Sequence, residues 1–351
     1  MRGPSVLVGD SIENPANARV MMAAAQMFGV DCAFANSLPN GARDGSDPTE
    51  AEPREWPRIT IEAAAAAYGQ VIACENLPEA HALYGFRPAA SFALLVGNER
   101  RGLTYSSRKM ATHSVQIPML SRRINCLNVS AAAAIALNYL IRIRVGPIAR
   151  TVDPASRRPD VLLSALNDHV ELGSAIRSAA AFGWSRILLE DRFRVWFGVD
   201  RVRRSEGRAA ARRARNDIRV IPIADPRTIT VPEVIVVTAD SGAAPLHRLD
   251  LARGVRQLIV VPDEGKGEID ASALERQHLH LRIASLGLSP RRFPYHYRLI
   301  ASLTLAEVAR QVGARAPRIR RVKVRPEYLL RLPLEVESAG ESISLEELLS
   351  Y

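Results

Sequence analysis

Three short stretches carry residue types from which a binding site can be built. Gly97-Asn98-Glu99-Arg100-Arg101-Gly102-Leu103 follows the apolar run Phe92 to Val96. Glycines at both ends of such a loop let its backbone pass close to a flat ligand. Ile117-Pro118-Met119 comes next. Cys126-Leu127-Asn128-Val129-Ser130 then opens an alanine-rich run, where Asn128 and Ser130 set side-chain oxygens beside the free N–H groups of a helix start. A fourth stretch, Arg177-Ser178-Ala179-Ala180-Ala181-Phe182-Gly183, puts one arginine on a helix entered through Asp168 and Glu171. A guanidinium can clamp a phosphate or stabilise a developing oxyanion. Glu171 could orient that arginine, accept a proton, or simply sit at a helix start favoured by the dipole.

Other chemistry finds little support. No Gly-rich dinucleotide fingerprint and no phosphate-binding P-loop is present. Cys32, Cys74 and Cys126 are an odd set without close spacing, which fits a reduced, cytoplasmic setting. His169, His278, His280 and His296 lack companions at metal-ligand spacing, so no metal is expected. The first residues are too polar for a signal peptide, and the longest apolar run, 129–141, is too short for a bilayer span. The net charge of +10 favours an anionic partner, and it is uneven. Residues 1–150 hold 15 basic and 12 acidic side chains, residues 151–351 hold 32 and 25. Arg204, Arg208, Arg212 and Arg215 fall on one helical face and suit a phosphate backbone. The bias toward arginine over lysine is also what genome composition alone produces.

The elements that must position these residues occur twice. Residues 23–30 (AAAQMFGV) are echoed by 177–184 (RSAAAFGW), 93–104 by 258–269, and 115–137 by the more frayed 281–309. Three matched blocks in one order indicate duplicated domains. In the first, strands are expected at 5–10, 30–36, 70–75, 92–99 and 114–119, with helices at 17–28, 59–68 and 128–141. In the second, strands are expected at 186–191, 218–223, 233–240, 257–264 and 279–284, followed by a helix over 296–312. Alternating strands and helices predict parallel sheets covered on both faces. The divisions are 1–147, a linker at 148–159, 160–316, and a basic extension at 317–351 in which Ser344 and Glu347 fit a capping box. The Pro-, Gly- and acid-rich segment 39–57 reads as a surface loop.

With these motifs in order, the sequence resembles the SPOUT superfamily, and within it the SpoU/TrmH-type RNA 2′-O-ribose methyltransferases. The turn-helix at 13–30, the GNERRGL loop and the IPM…CLNVS block carry the resemblance. It implies an α/β fold of two tandem trefoil-knot domains packed as a pseudo-homodimer within a monomer. It implies S-adenosyl-L-methionine as cofactor, held by Val96, Gly97, Asn98, Glu99, Gly102, Ile117, Met119, Cys126, Leu127 and Ser130, with Arg177, Glu171 and Asn128 catalytic. RNA, as tRNA or rRNA, would be met by Arg101, Arg122, Arg123, Arg204, Arg208 and Arg212. Ser121 and Cys126 depart from the family's usual glycine and serine, and the 119–126 loop is one residue longer. The family's motif arginine reaches across a dimer into the partner's pocket. In the first repeat its position is Ala23, in the second Arg177, while the second repeat keeps only traces of the cofactor loops. The two losses are complementary and imply one composite site. The rivals are a non-catalytic RNA-binding protein and a methyltransferase acting on a base nitrogen.

Overall fold

A computed structural model describes residues 4–37, 55–119, 126–143, 145, 158–164, 167–212, 218–239, 242–251, 255–262, 281–288 and 296–312. The described residues all fall in one compact unit, within 1–316. The basic extension, its Ser344/Glu347 cap, most of the 39–57 loop and most of the 148–159 linker lie outside the described residues.

The first sheet holds β1 (Ser5–Asp10), β2 (Asp31–Ala35), β3 (Val71–Cys74), β4 (His81–Ala82), β5 (Phe92–Gly97) and β6 (His113–Gln116). Their order is β2-β1-β5-β3-β6-β4, with every pairing parallel. Strands such as Val6-Leu7-Val8 and Leu94-Leu95-Val96 are apolar on both faces, as a sheet between helix layers requires. The helices are α1 (Pro15–Phe28), α2 (Ile61–Tyr68), α3 (Tyr105–Met110) and α4 (Val129–Leu137). Leu7, Phe34, Ile72 and Leu94 pack with Met21 and Ala24 of α1 and Ile135 of α4. Val8, Ala73 and Leu95 pack with Ile61 and Ala64 of α2 on the opposite face.

The second sheet holds β7 (Asp160–Ser164), β8 (Arg186–Glu190), β9 (Arg219–Pro222), β10 (Glu233–Thr238), β11 (Ala244–Pro245), β12 (Gln257–Val261) and β13 (Leu281–Ser285). Its order, β9-β8-β7-β12-β10-β13-β11, is again all parallel and repeats that of the first sheet. Even the added edge strand β9 has a counterpart, an isolated parallel bridge from Arg58 to Phe34 of β2. The helices are α5 (His169–Ala181), α6 (Arg201–Arg212) and α7 (Tyr297–Gln311). The expected strands and helices are present. β4, β7, β11 and α3 come in addition, and the expected 128–141 helix changes at Asn138 into a π turn, Asn138–Arg142.

One apolar core runs through both sheets, joining α1 and α4 to α5 and α7. At the contact of α4 with α7, the Tyr139 hydroxyl donates to Glu307 Oε2 at 2.5 Å. Glu307 also binds Arg310 of its own helix, and the Tyr84 and Tyr139 rings meet edge-on at 4.7 Å. Arg142, delivered by the π turn, donates to the carbonyls of Leu286 and Gly287.

Candidate active site

The site starts where β5 ends. Asn98 and Gly102 close the loop on itself, Asn98 N–H donating to the Gly102 carbonyl at 3.0 Å and Gly102 N–H to Asn98 O at 2.8 Å. A Cβ on Gly97 would lie 2.1 Å from the Gly102 carbonyl carbon and 2.2 Å from the Leu103 nitrogen. Gly102 has φ +70°, and a Cβ there would meet Glu75 Oε1 at 2.4 Å. Both glycines are therefore demanded by the loop's own closure, a different reason from the close ligand approach expected of them. Asn98 fixes the turn, donating to the Ser11 carbonyl at 2.8 Å and accepting from the N–H groups of Arg100 and Arg101. The Val96 side chain is buried in the core, so only its backbone faces the loop.

A chain of polar side chains links this loop to two helix starts. Asn14 caps α1, accepting from the N–H groups of Ala16 and Asn17, and Asn128 caps α4. Glu99 Oε1 accepts from Asn17 Nδ2. Asn17 Oδ1 accepts from Asn128 Nδ2 at 3.0 Å, and Asn128 Oδ1 accepts from the Ser130 N–H and hydroxyl at 3.0 and 2.5 Å. Asn17, Asn128 and Ser130 are all buried. Sequence reading singled out Asn128, Glu99 and Ser130 but gave Asn17 no role, although it lies in the motif that opens α1.

Arg177 enters from the other sheet. It projects from α5 with only 4% of its surface exposed. Its Nε donates to the Cys126 carbonyl at 3.1 Å, and Nη2 donates to the Leu127 carbonyl and Cys126 Sγ, each at 2.9 Å. Glu13, Asn17, Asn98, Glu99 and Asn128 line a cleft of about 390 Å³, completed by Ser174 and Arg177 of α5 and Ala209 and Ala210 of α6. Ala23, at the matching place on α1, is buried.

Glu171 is corrected. Its carboxylate accepts from Arg298 Nε at 2.6 Å and the Arg298 backbone N–H at 2.7 Å, and it forms an ion pair with Arg298 Nη2 at 2.5 Å, with His296 Nδ1 3.5 Å away. It makes no hydrogen bond to Arg177, so it neither orients that arginine nor stands free to take a proton. Burial alone would raise its carboxyl; Arg298, helped by His296, more than reverses this and holds it at about 2. Glu171 is the third residue of α5 as Asn17 is of α1, while His296 stands at the N-cap position of α7, as Asn128 does at α4, but makes no side-chain capping bond. In the second sheet an ion pair thus stands where the first has its asparagine chain. Asp168 is the N-cap of α5, accepting from the Val170 and Glu171 N–H groups at 2.7 and 2.9 Å.

Ile117, Met119 and Leu127 are buried in the apolar core and do not line the cleft, and Cys126 is exposed. Ser121, Arg122 and Arg123 lie outside the described residues, as do Arg215, His278, His280 and the Arg212 side chain. Arg101 pairs with Glu13. Arg208 lies with its guanidinium 5.7 Å from the Trp196 ring centre, so the expected arginine row is not wholly directed at a partner. His169 pairs with Glu206 rather than standing alone. Among the described residues, no group of three or more His, Cys, Asp or Glu could hold a metal, and no helix is long and apolar enough to cross a membrane.

Residues 4–138, which hold the first sheet and its helices, match the SpoU rRNA methylase family. That span contains Asn17, Glu99, Asn128 and Ser130 and stops short of Arg177. Solved structures similar to the chain include the SpoU methyltransferase AviRb from Streptomyces viridochromogenes, at 22% identity over 41% of this chain and 61% of that one, with a TM-score of 0.32. An AdoMet-bound rRNA methyltransferase from Sinorhizobium meliloti is 21% identical over 40% of this chain and 56% of that one, with a TM-score of 0.31. A TrmH/SpoU tRNA modifying enzyme from A. aeolicus is 21% identical over 38% and 72%, with a TM-score of 0.32. The chain thus spans about three fifths of the length of AviRb. No curated protein matches it.

Proposed function

We propose that this chain is an S-adenosylmethionine-dependent methyltransferase acting on a ribose 2′-hydroxyl of structured RNA, tRNA or rRNA. It would be a cytoplasmic monomer of two tandem knotted domains, 1–147 and 160–316, packed as a pseudo-dimer with one composite active site. The observation that carries this reading is Arg177. An arginine of the second sheet bonds the Cys126 and Leu127 backbone of the stretch that matches the SpoU family, beside Asn128 and the cleft.

The residues present fit the cofactor. Among the described residues, Glu75 Oε2 and Gln116 Oε1 are buried acceptors without a hydrogen-bond partner. They lie at the carboxyl ends of the adjacent strands β3 and β6, where parallel sheets bind ligands, and a ribose or adenine amine brings the missing donors. Loop 97–103, Ile117, Met119 and the 126–130 turn would hold it. When bound, it supplies an electrophilic methyl group. The chain must position the hydroxyl and stabilise its developing charge. Arg177 keeps Nε and Nη2 on the loop carbonyls, which leaves Nη1 for a phosphate or alkoxide oxygen. A guanidinium, which holds its proton tightly, serves better as a clamp than as a base. Asn128, held by Asn17, orients the same cleft. Arg101, Arg122, Arg123, Arg204, Arg208 and Arg212 are proposed to contact RNA. Glu171 has no catalytic part.

The test is transfer of labelled methyl groups to total RNA, followed by nucleoside mapping. The wild type should yield 2′-O-methylated nucleosides, and Arg177→Ala should yield none while still binding cofactor. Label on a base nitrogen, or none from the wild type, would overturn the reading.

A further inference from the structure

Between β8 and α6 the chain builds a rigid loop that points aromatic side chains outward. Asp191 anchors it, its carboxylate accepting from the N–H groups of Val195, Trp196 and Phe197 at 2.8, 3.0 and 2.7 Å. Arg194 adopts a left-handed φ of +52°, and Gly198 is obligatory because a Cβ would lie 2.0 Å from the Arg194 carbonyl oxygen. Asp200 then caps α6, accepting from the Val202 and Arg203 N–H groups. Val195 is driven into the core and Trp196 packs against it beneath Arg208. Phe193 and Phe197 are left 43% exposed each, Val199 95% and Val202 66%. Of the seven exposed large apolar side chains among the described residues, four fall in this segment of ten.

Residues 191–212 carry seven arginines against three acidic residues. Asp191 and Asp200 are engaged by backbone N–H groups, Asp200 also lies 3.6 Å from Arg203, Glu206 pairs with His169, and Arg192 pairs with Glu190, which leaves the other arginines in excess. The surface is therefore aromatic and cationic together, and it is pre-shaped. Aromatic planes among guanidinium groups are what unpaired nucleotides require, the planes for stacking and the charges for phosphates. The segment also leads to the cleft. α6 packs on α5 through Gly173, where a Cβ would lie 2.1 Å from the Gly207 carbonyl oxygen, and its Ala209 and Ala210 line the cleft. From Arg201 to Ala209 the helix axis runs about 12 Å.

We propose that the 191–199 loop and the start of α6 form a stacking platform for unpaired bases of the RNA whose ribose enters the cleft. The proposal rests on the methyltransferase reading for the purpose of the RNA, but its test does not need methyl transfer. Fluorescence anisotropy would measure binding of the full chain to labelled oligouridine and to an RNA duplex. Phe193→Ala/Phe197→Ala should weaken oligouridine binding by roughly tenfold or more, since base stacking on an aromatic ring is worth about 1–3 kcal/mol per base. Duplex binding and cofactor affinity should hold. Phe193→Tyr/Phe197→Tyr, which keeps both planes, should restore the wild-type affinity. An unchanged affinity for oligouridine, or an equal loss on the duplex, overturns the platform. So does an alanine variant that binds RNA normally but loses adhesion to phosphatidylserine vesicles or self-association in sedimentation. A wild type that binds oligouridine through the loop yet methylates no RNA would sink the enzymatic reading alone.

Discussion

Glu171→Gln is the sharpest probe of how the second sheet has been rebuilt. The wild-type carboxylate takes two hydrogen bonds from Arg298, at 2.6 and 2.7 Å, and an ion-pair contact from its Nη2 at 2.5 Å, and both side chains are buried. The amide keeps the shape but removes the charge, leaving a desolvated guanidinium without its counter-ion. Breaking a buried pair from one side costs about 3–5 kcal/mol. The depressed carboxyl points to a cost of the same order. A carboxyl at about 2 instead of 4.5, at 1.36 kcal/mol per pH unit, corresponds to about 3 kcal/mol. Because the folded value is depressed, this contribution is full above pH 4.5 and drains away as the pH falls toward 2. Urea unfolding of wild type and variant across pH 2 to 7 would read the difference. It should be about 3 kcal/mol at neutral pH and close toward zero at the acid end. A gap under about 1 kcal/mol, the worth of an exposed pair, or one that ignores pH, would refute the assignment of Glu171 as a structural strut.

Two further substitutions separate the cofactor loop from the contact between the sheets. Gly97→Ala forces a methyl group into the backbone of Gly102 and Leu103; it should abolish cofactor binding in calorimetry and lower stability by about 3 kcal/mol, and normal binding would contradict the loop geometry. Tyr139→Phe removes the donor to buried Glu307; it should cost about 2 kcal/mol in urea unfolding without touching cofactor affinity, and a neutral result would show that the α4–α7 contact does not depend on that bond.

Much of the fold was legible because similar sequence blocks recur in two sheets of the same strand order. Matching blocks and apolar runs located the long strands and helices, since a buried parallel strand needs a continuous aliphatic run. β4 and β11, two residues each, carry no such run, and α3 is one capped turn and a half. β7 follows directly on the proline-rich linker, whose composition hid it. Arg177 was legible as the arginine present in one repeat and missing from the other. Glu171 was not, because its partner Arg298 lies 127 residues away and a carboxylate at a helix start looks the same with or without one. The 191–199 platform passed unnoticed for a related reason. Its alternation of arginine and aromatic residues resembles an ordinary amphipathic loop until the Asp191 anchor shows which side chains face out.

The central claim is that one working site exists per chain, built from the first sheet's loops and the second sheet's arginine. Calorimetric titration of the full chain with S-adenosylmethionine tests it most directly. One cofactor per chain is the predicted result, since Glu171 and Arg298 occupy the matching place in the second sheet. Two per chain, or none, would contradict it.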